Sequence, residues 1–134
     1  MNSTKQAFFG PLIIISGPSG SGKSTLVKEL LKDKSMTLEG AISATTRKKR
    51  SFEVEGVDYF FWSKEMFQEE VAKGSFLEWA EVYGNYYGTL ISEVDARRMR
   101  GAGVVLEIDV QGACQIRKTG AVSKSIFVAP PDMK

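Results

Sequence analysis

The chain has no histidine, and Cys114 is its one cysteine among 134 residues. Histidine triads, histidine general bases and histidine metal ligands are therefore excluded. A lone cysteine closes no internal disulfide, which fits a reducing, cytoplasmic setting. The net charge is only +2, too small by itself to call for nucleic acid or a membrane surface. No apolar run approaches the ~20 residues that span a bilayer. The opening MNSTKQAFFG has no signal-peptide core. What is present is ordinary: 43% apolar and 25% charged residues, as in a soluble domain large enough to bury a core.

Strand and helix patterns alternate at both ends of the chain. Residues 11–16 read as a buried strand and 23–32 as a helix. VVLEIDV (104–110) is a second apolar strand, followed by a short helix and the strand SIFVA (125–129), which ends at Pro130-Pro131. This alternation predicts a parallel sheet of the α/β class. Between the ends lies an aromatic, β-rich insertion. Residues 41–62 read as short strands and turns, with VDYFFW (57–62) the clearest. Ser63 is placed to cap a helix running through Gly74, FLEWAEV (76–82) alternates as a strand, GNYYG (84–88) reads as a turn, and a helix is expected from about Thr89 to Arg100. No repeat, low-complexity segment or long linker is evident.

The stretch GPSGSGKST carries the first chemistry: Gly17, Pro18, Ser19, Gly20, Ser21, Gly22, Lys23, Ser24 and Thr25. It matches G-x-x-x-x-G-K-[ST] between a strand and a helix. Glycines let backbone N–H groups turn toward an anion, and the helix start adds its positive dipole end. Lys23 can reach the β- and γ-phosphates of a nucleotide, and the Ser24 hydroxyl can bind Mg²⁺. The alternative is a plain glycine-rich βα turn. A second cluster, SATTRKKR (43–50), sets Arg47 and Arg50 three apart. They either clamp a second phosphate in forked geometry or form a solvated basic loop. Asp109 and Glu107 sit near the carboxyl end of the VVLEIDV strand, where α/β sheets place ligands.

Taken in order, GPSGSGKST, SATTRKKRSFEVEGVDYFF, FLEWAEVYGNYYGT, VVLEIDVQGA and SIFVAPP resemble the guanylate kinase family along almost the whole chain. The resemblance implies a P-loop NTPase fold of three layers around a parallel sheet, with an inserted, mixed-β GMP-binding region. It treats 1–134 as one domain, with 1–40 and 91–134 as the P-loop core and 42–90 as the GMP-binding region. It implies ATP and Mg²⁺ at the P-loop and GMP as a small-molecule acceptor, with neither nucleic acid nor membrane as partner. Ser43, Arg47, Arg50 and Tyr59 would line the acceptor site. Arg47, Arg50, Tyr59 and Tyr87 would hold the GMP phosphate. Glu78 and Thr89 would read guanine, with Ser43 and Glu107 nearby. VVLEIDV resembles a Walker B strand, whose Asp109 would hold waters around Mg²⁺ or orient the P-loop.

The chemistry suits these residues. The second pKa of a phosphate monoester is about 6, so GMP is already a nucleophile at neutral pH, and the missing histidine is no obstacle. Lys23, Arg47 and Arg50 would then act by positioning and charge neutralisation. Guanine offers N1–H and an amine to a carboxylate such as Glu78, a pair that adenine lacks. Two departures from the family pattern stand out. The family usually has Pro-Arg, a small residue and Gly before a Glu, whereas this chain reads Lys49-Arg50-Ser51-Phe52-Glu53, which predicts an altered loop. The chain ends at APPDMK, whereas the family continues with a helix, an arginine-bearing lid, and a last strand and helix. A C-terminally truncated kinase, or one completed by a partner, is the expectation. The competing functions are an inactive fragment or non-catalytic guanylate-kinase-like binding module, a GTPase-like switch, and a basic nucleic-acid-binding domain. The switch would need an Asn-Lys-x-Asp motif, which is absent. The nucleic-acid reading rests on Arg47–Arg50 and on the RRMR run at Arg97–Arg100, more simply the solvated end of a helix.

Overall fold

The computed structural model of the protein describes residues 10–18, 20–120 and 123–129. The opening stretch up to Phe9, Ser19 of the glycine-rich stretch, and Pro130-Pro131 lie outside the described residues.

The apolar run Leu12–Ser16 forms strand β1, buried at four of its five positions. A strand covered on both faces reads as a continuous apolar run rather than an alternation. Its neighbours are β7 (Gly103–Ile108) and β8 (Lys124–Phe127), both parallel to it, and β2 (Leu38–Gly40) pairs in parallel with β7. The strand order is β2-β7-β1-β8. Helix α1 (Lys23–Lys32) follows β1, and helix α4 (Val110–Lys118) follows β7. The connection from β1 to β2 passes β7 in one direction, and that from β7 to β8 passes β1 in the other. Parallel crossovers are right-handed, so the two helices cover opposite faces, giving three layers. Leu12, Ile14, Ile15, Val104, Val105 and Leu106 are buried between them, joined by Ala113 and Ile116 of α4. The reversal of direction between β1 and β7 puts the ligand crevice at their carboxyl ends.

The chain divides into two compact units, Met1–Ala41 with Asp95–Lys134, and Ile42–Val94. The second holds a mixed sheet of β3 (Ala44–Thr45), β4 (Phe60–Phe61), β5 (Phe76–Val82) and β6 (Asn85–Leu90), in the order β4-β3-β6-β5. Strands β3 and β4 are parallel; the other two pairings are antiparallel. Its core is aromatic. Phe67, on helix α2 (Lys64–Ala72), is fully buried, stacks on Phe76 and Tyr86, and meets Trp62 and Trp79 edge-on. As its sequence position predicts, Ser63 caps α2, accepting a hydrogen bond from the Met66 amide.

Four expectations need correction. Within GNYYG, Asn85 to Gly88 are strand rather than turn. Only Tyr83 and Gly84 turn, both at positive φ, between the paired residues Val82 and Asn85. That is a two-residue hairpin loop of the primed type, and the tyrosines beyond it pair across the sheet. VDYFFW is strand only at Phe60–Phe61, because Val57 and Asp58 donate to the Val54 carbonyl and close a turn. Helix α3 (Ile91–Met99) begins after Thr89 and Leu90, which belong to β6. Finally, β7 stops at Ile108 because Asp109 leaves the strand to cap α4, its carboxylate accepting from the Gly112 amide at 2.8 Å.

Candidate functional site

The glycine-rich turn leaves β1 at Ser16. A Cβ on Gly17 would lie 2.4 Å from the Val128 carbonyl oxygen, and its φ of 152° is one that side chains disfavour. Glycine is therefore required here by both space and conformation. Gly22 caps α1 in the left-handed region at φ 98°, and no side chain caps the helix. The first-turn amides of α1 thus keep their donors for an anion. Lys23 donates to the Gly17 carbonyl at 2.7 Å, which holds its ammonium against the loop. The Ser21 hydroxyl is buried without a hydrogen-bond partner among the described residues. Thr25, also in the first turn of α1, is exposed.

The Ser24 hydroxyl donates to the Glu107 carboxylate. Glu107 follows Leu106 on β7, opposite Ile15 of β1, so the strand pairing brings it to the start of α1. With its proton given to Glu107, the Ser24 oxygen keeps lone pairs for a cation. Among the described residues no three acids, histidines or cysteines cluster as a metal cage. A hydroxyl beside a carboxylate is instead the sparse oxygen donor set that suits Mg²⁺, which keeps waters and takes phosphate ligands. These residues fit that ion, with Asp109 one step beyond the strand end.

The second constellation lies in the unit Ile42–Val94. Arg47 donates to both oxygens of Glu53, from Nη1 at 3.0 Å and Nη2 at 2.8 Å. Nη1 also donates to the Lys48 carbonyl at 3.1 Å, and the guanidinium hydrogen-bonds to the Tyr87 side chain. Its face lies over Tyr59 at 5.2 Å and Phe61 at 5.8 Å. The Arg47 and Glu53 side chains are 15% and 8% exposed. The Arg47 hydrogen bonds, aided by the Arg50 amide, hold the Glu53 carboxyl at about 2, and Glu53 in turn raises Arg47 further above its ordinary range. The backbone N–H of Arg50 donates to Glu53 at 2.9 Å, while Arg50 itself is exposed.

Tyr87 and Tyr59 meet edge-on at 6.1 Å. Two residues along β6 from Tyr87, on the same strand face, stands Thr89. Its hydroxyl donates to Glu78, its partner across the β5–β6 pairing, at 2.6 Å. Thr89 is 1% and Glu78 7% exposed. The arginine–tyrosine cluster and the carboxylate–threonine pair thus share one face, about 7 Å apart along the strand. Ser43 precedes β3, half-buried, with its carbonyl bonded to the Phe60 amide.

Sequence reasoning missed three contributors. Glu53 was visible only as an acid six residues after Arg47. Thr45, fully buried, accepts from the Arg47 amide and donates to the Tyr86 carbonyl. Phe61 gives Arg47 a second ring. Only Phe61, inside the strong β signal, had a local mark.

The sequence model of the guanylate kinase family matches residues 10–134. The chain is similar to the guanylate kinase of Clostridioides difficile (strain 630), with 49% identity over 93% of this chain and 60% of that protein. It is 52% identical to the guanylate kinase of Prochlorococcus marinus (strain MIT 9312), over 90% of this chain and 65% of that one. Its structure resembles the crystal structure of guanylate kinase from Anaplasma phagocytophilum, with a TM-score of 0.74 and 33% identity, covering 92% of this chain and 62% of that chain. The chain thus spans about 60% of the length of curated relatives such as the C. difficile enzyme. With the family model matched over residues 10–134, the chain belongs to the guanylate kinase family.

Proposed function

We propose that the chain carries the nucleotide sites of a reversible ATP:GMP phosphotransferase, which converts MgATP and GMP to ADP and GDP. The observation that carries this reading is the buried Glu78–Thr89 pair on the same strand face as the Arg47–Tyr59–Tyr87 cluster. A dry carboxylate is costly unless hydrogen-bonded, and guanine N1–H with its amine is a matched pair of donors. Thr89 has a single hydroxyl proton. In the free chain Glu78 accepts it; with guanine bound to the carboxylate, the proton is released to O6. Adenine presents an amine there and would leave donors facing each other, so discrimination is strong.

Arg47, with Tyr59 and Tyr87, would hold the GMP phosphate, and Arg50 would add charge from the exposed side of the loop. The dianionic phosphate needs no base, so none of these residues must take a proton from it. At the P-loop the backbone amides and Lys23 would bind the donor phosphates. Lys23 would exchange the Gly17 carbonyl for the β- and γ-oxygens and neutralise charge as it moves. Ser24 and Glu107, with Asp109 behind them, would hold the Mg²⁺, whose contribution is to neutralise the phosphate oxygens. On this reading the substrates are free nucleotides of cytoplasmic purine metabolism, with neither nucleic acid nor membrane as partner.

A single-turnover mixture of excess chain, radiolabelled MgATP and GMP tests the proposal. Label should appear in GDP, depend on Lys23, and fail to pass to AMP. Release of label only as inorganic phosphate would contradict it.

A further inference from the structure

Arg47 has five guanidinium hydrogens in three directions. Both hydrogens of Nη1 are taken, one by Glu53 Oε1 and one by the Lys48 carbonyl. One hydrogen of Nη2 goes to Glu53 Oε2. What remains is the pair Nε–H and the second Nη2–H, which are parallel and match two oxygens of a phosphate. No carboxylate or carbonyl occupies that edge among the described residues; its partner is the Tyr87 side chain, a hydroxyl that can turn to donate to the same phosphate. Tyr59 and Phe61 cover the guanidinium face, so the plane cannot tip freely. Glu53 is itself fixed from behind: Oε1 accepts the Arg50 amide, and its own backbone carbonyl accepts from the Lys49 ammonium.

We propose that Glu53 is a positioning residue that holds Arg47 end-on, so that the Nε/Nη2 edge is presented to the phosphate of the acceptor nucleotide. The proposal rests on the reading that GMP binds at this cluster, and it adds a residue that touches no substrate. It also explains how the loop keeps its function without the proline and glycine expected before the acid. Glu53 joins Arg47 and the Arg50 backbone directly, so side-chain bonds set the loop shape.

Two effects of removing Glu53 oppose each other. Loss of a negative charge strengthens the general attraction for phosphate. Loss of the fork frees the guanidinium to rotate and to bond elsewhere. The first acts across the width of the guanidinium and is screened; the second acts at contact. Geometry therefore wins, and GMP binding weakens although the chain becomes more basic.

The test is calorimetric titration of the full chain, and of its Glu53→Gln and Glu53→Ala variants, with GMP and with guanosine. The wild-type chain should bind GMP more tightly than guanosine. Both variants should lose about tenfold or more in GMP affinity while guanosine binds as before. In an Arg47→Ala background, adding Glu53→Ala should change GMP affinity no further. Unchanged or tighter GMP binding in both variants overturns the proposal. So does a parallel fall in guanosine affinity, which would mark Glu53 as merely structural, or a further loss in the Arg47→Ala background. A wild-type chain that binds GMP and guanosine equally overturns the positioning role but leaves the guanine reading standing. One that binds neither overturns both.

Discussion

The two compact units offer anions different things. On the proposed reading, the groups that would meet phosphate in Met1–Ala41 with Asp95–Lys134 are backbone amides, set by glycine conformations and a helix start. In Ile42–Val94 they are side chains, and the central one, Arg47, is already paired with Glu53 and packed on rings. The first kind of site is built from consecutive residues, and its backbone donors do not depend on any one side chain. The second is built from residues scattered between 43 and 89, and depends on a small aromatic core to bring them together. Sites of the second kind gain base and phosphate specificity, but are more easily broken.

The harshest way to break that comparison is through Phe67. Phe67→Ala should cost about 3–5 kcal/mol, seen as an earlier denaturant midpoint in tryptophan fluorescence. Both tryptophans of the chain, Trp62 and Trp79, pack against that ring and report on this unit. Next is Glu78→Ala, which should weaken GMP binding about 100-fold, the worth of two hydrogen bonds to a charged group. ATP binding should be unaffected, as separate titrations would reveal. The mirror experiment is Lys23→Ala. It should weaken ATP binding about 10- to 100-fold through loss of one charge-assisted contact, with GMP affinity preserved. If either variant lowered both affinities alike, the division of labour between the units would be wrong.

The smallest expected effect is a pH dependence. The Glu53 carboxyl is depressed to about 2 from its ordinary 4.5. Its pairing with Arg47 is fully stabilising above pH 4.5 and is lost as pH falls through about 2. The fluorescence midpoint of the second unit should drop across that window, and less so in Glu53→Gln. An equal acid response in wild type and variant would detach the pair from stability.

How much of this was legible in the sequence follows the same division. The P-loop could be read from nine consecutive residues, because the strand before it and the helix after it are local. Ser63 and FLEWAEV were legible for similar reasons, a cap beside a helix and an alternation along one strand. GNYYG was misread because its glycines suggest a turn, while pairing of Tyr86 and Tyr87 with Glu81 and Ala80 makes it a strand. Asp109 was read as strand because apolar residues flank it, yet its short carboxylate suits a helix cap. The Arg47–Glu53 fork had no sequence signature, since an acid six residues away meets an arginine only when the loop folds back.

The central claim is an acceptor site that recognises guanine in the second unit. Calorimetric titration of the chain with GMP, and with AMP as control, tests it most directly. GMP should bind saturably and AMP at least about 100-fold more weakly, on the order expected when a buried carboxylate loses its donors. Equal affinity for the two nucleotides, or no binding of GMP by a folded chain, would contradict it.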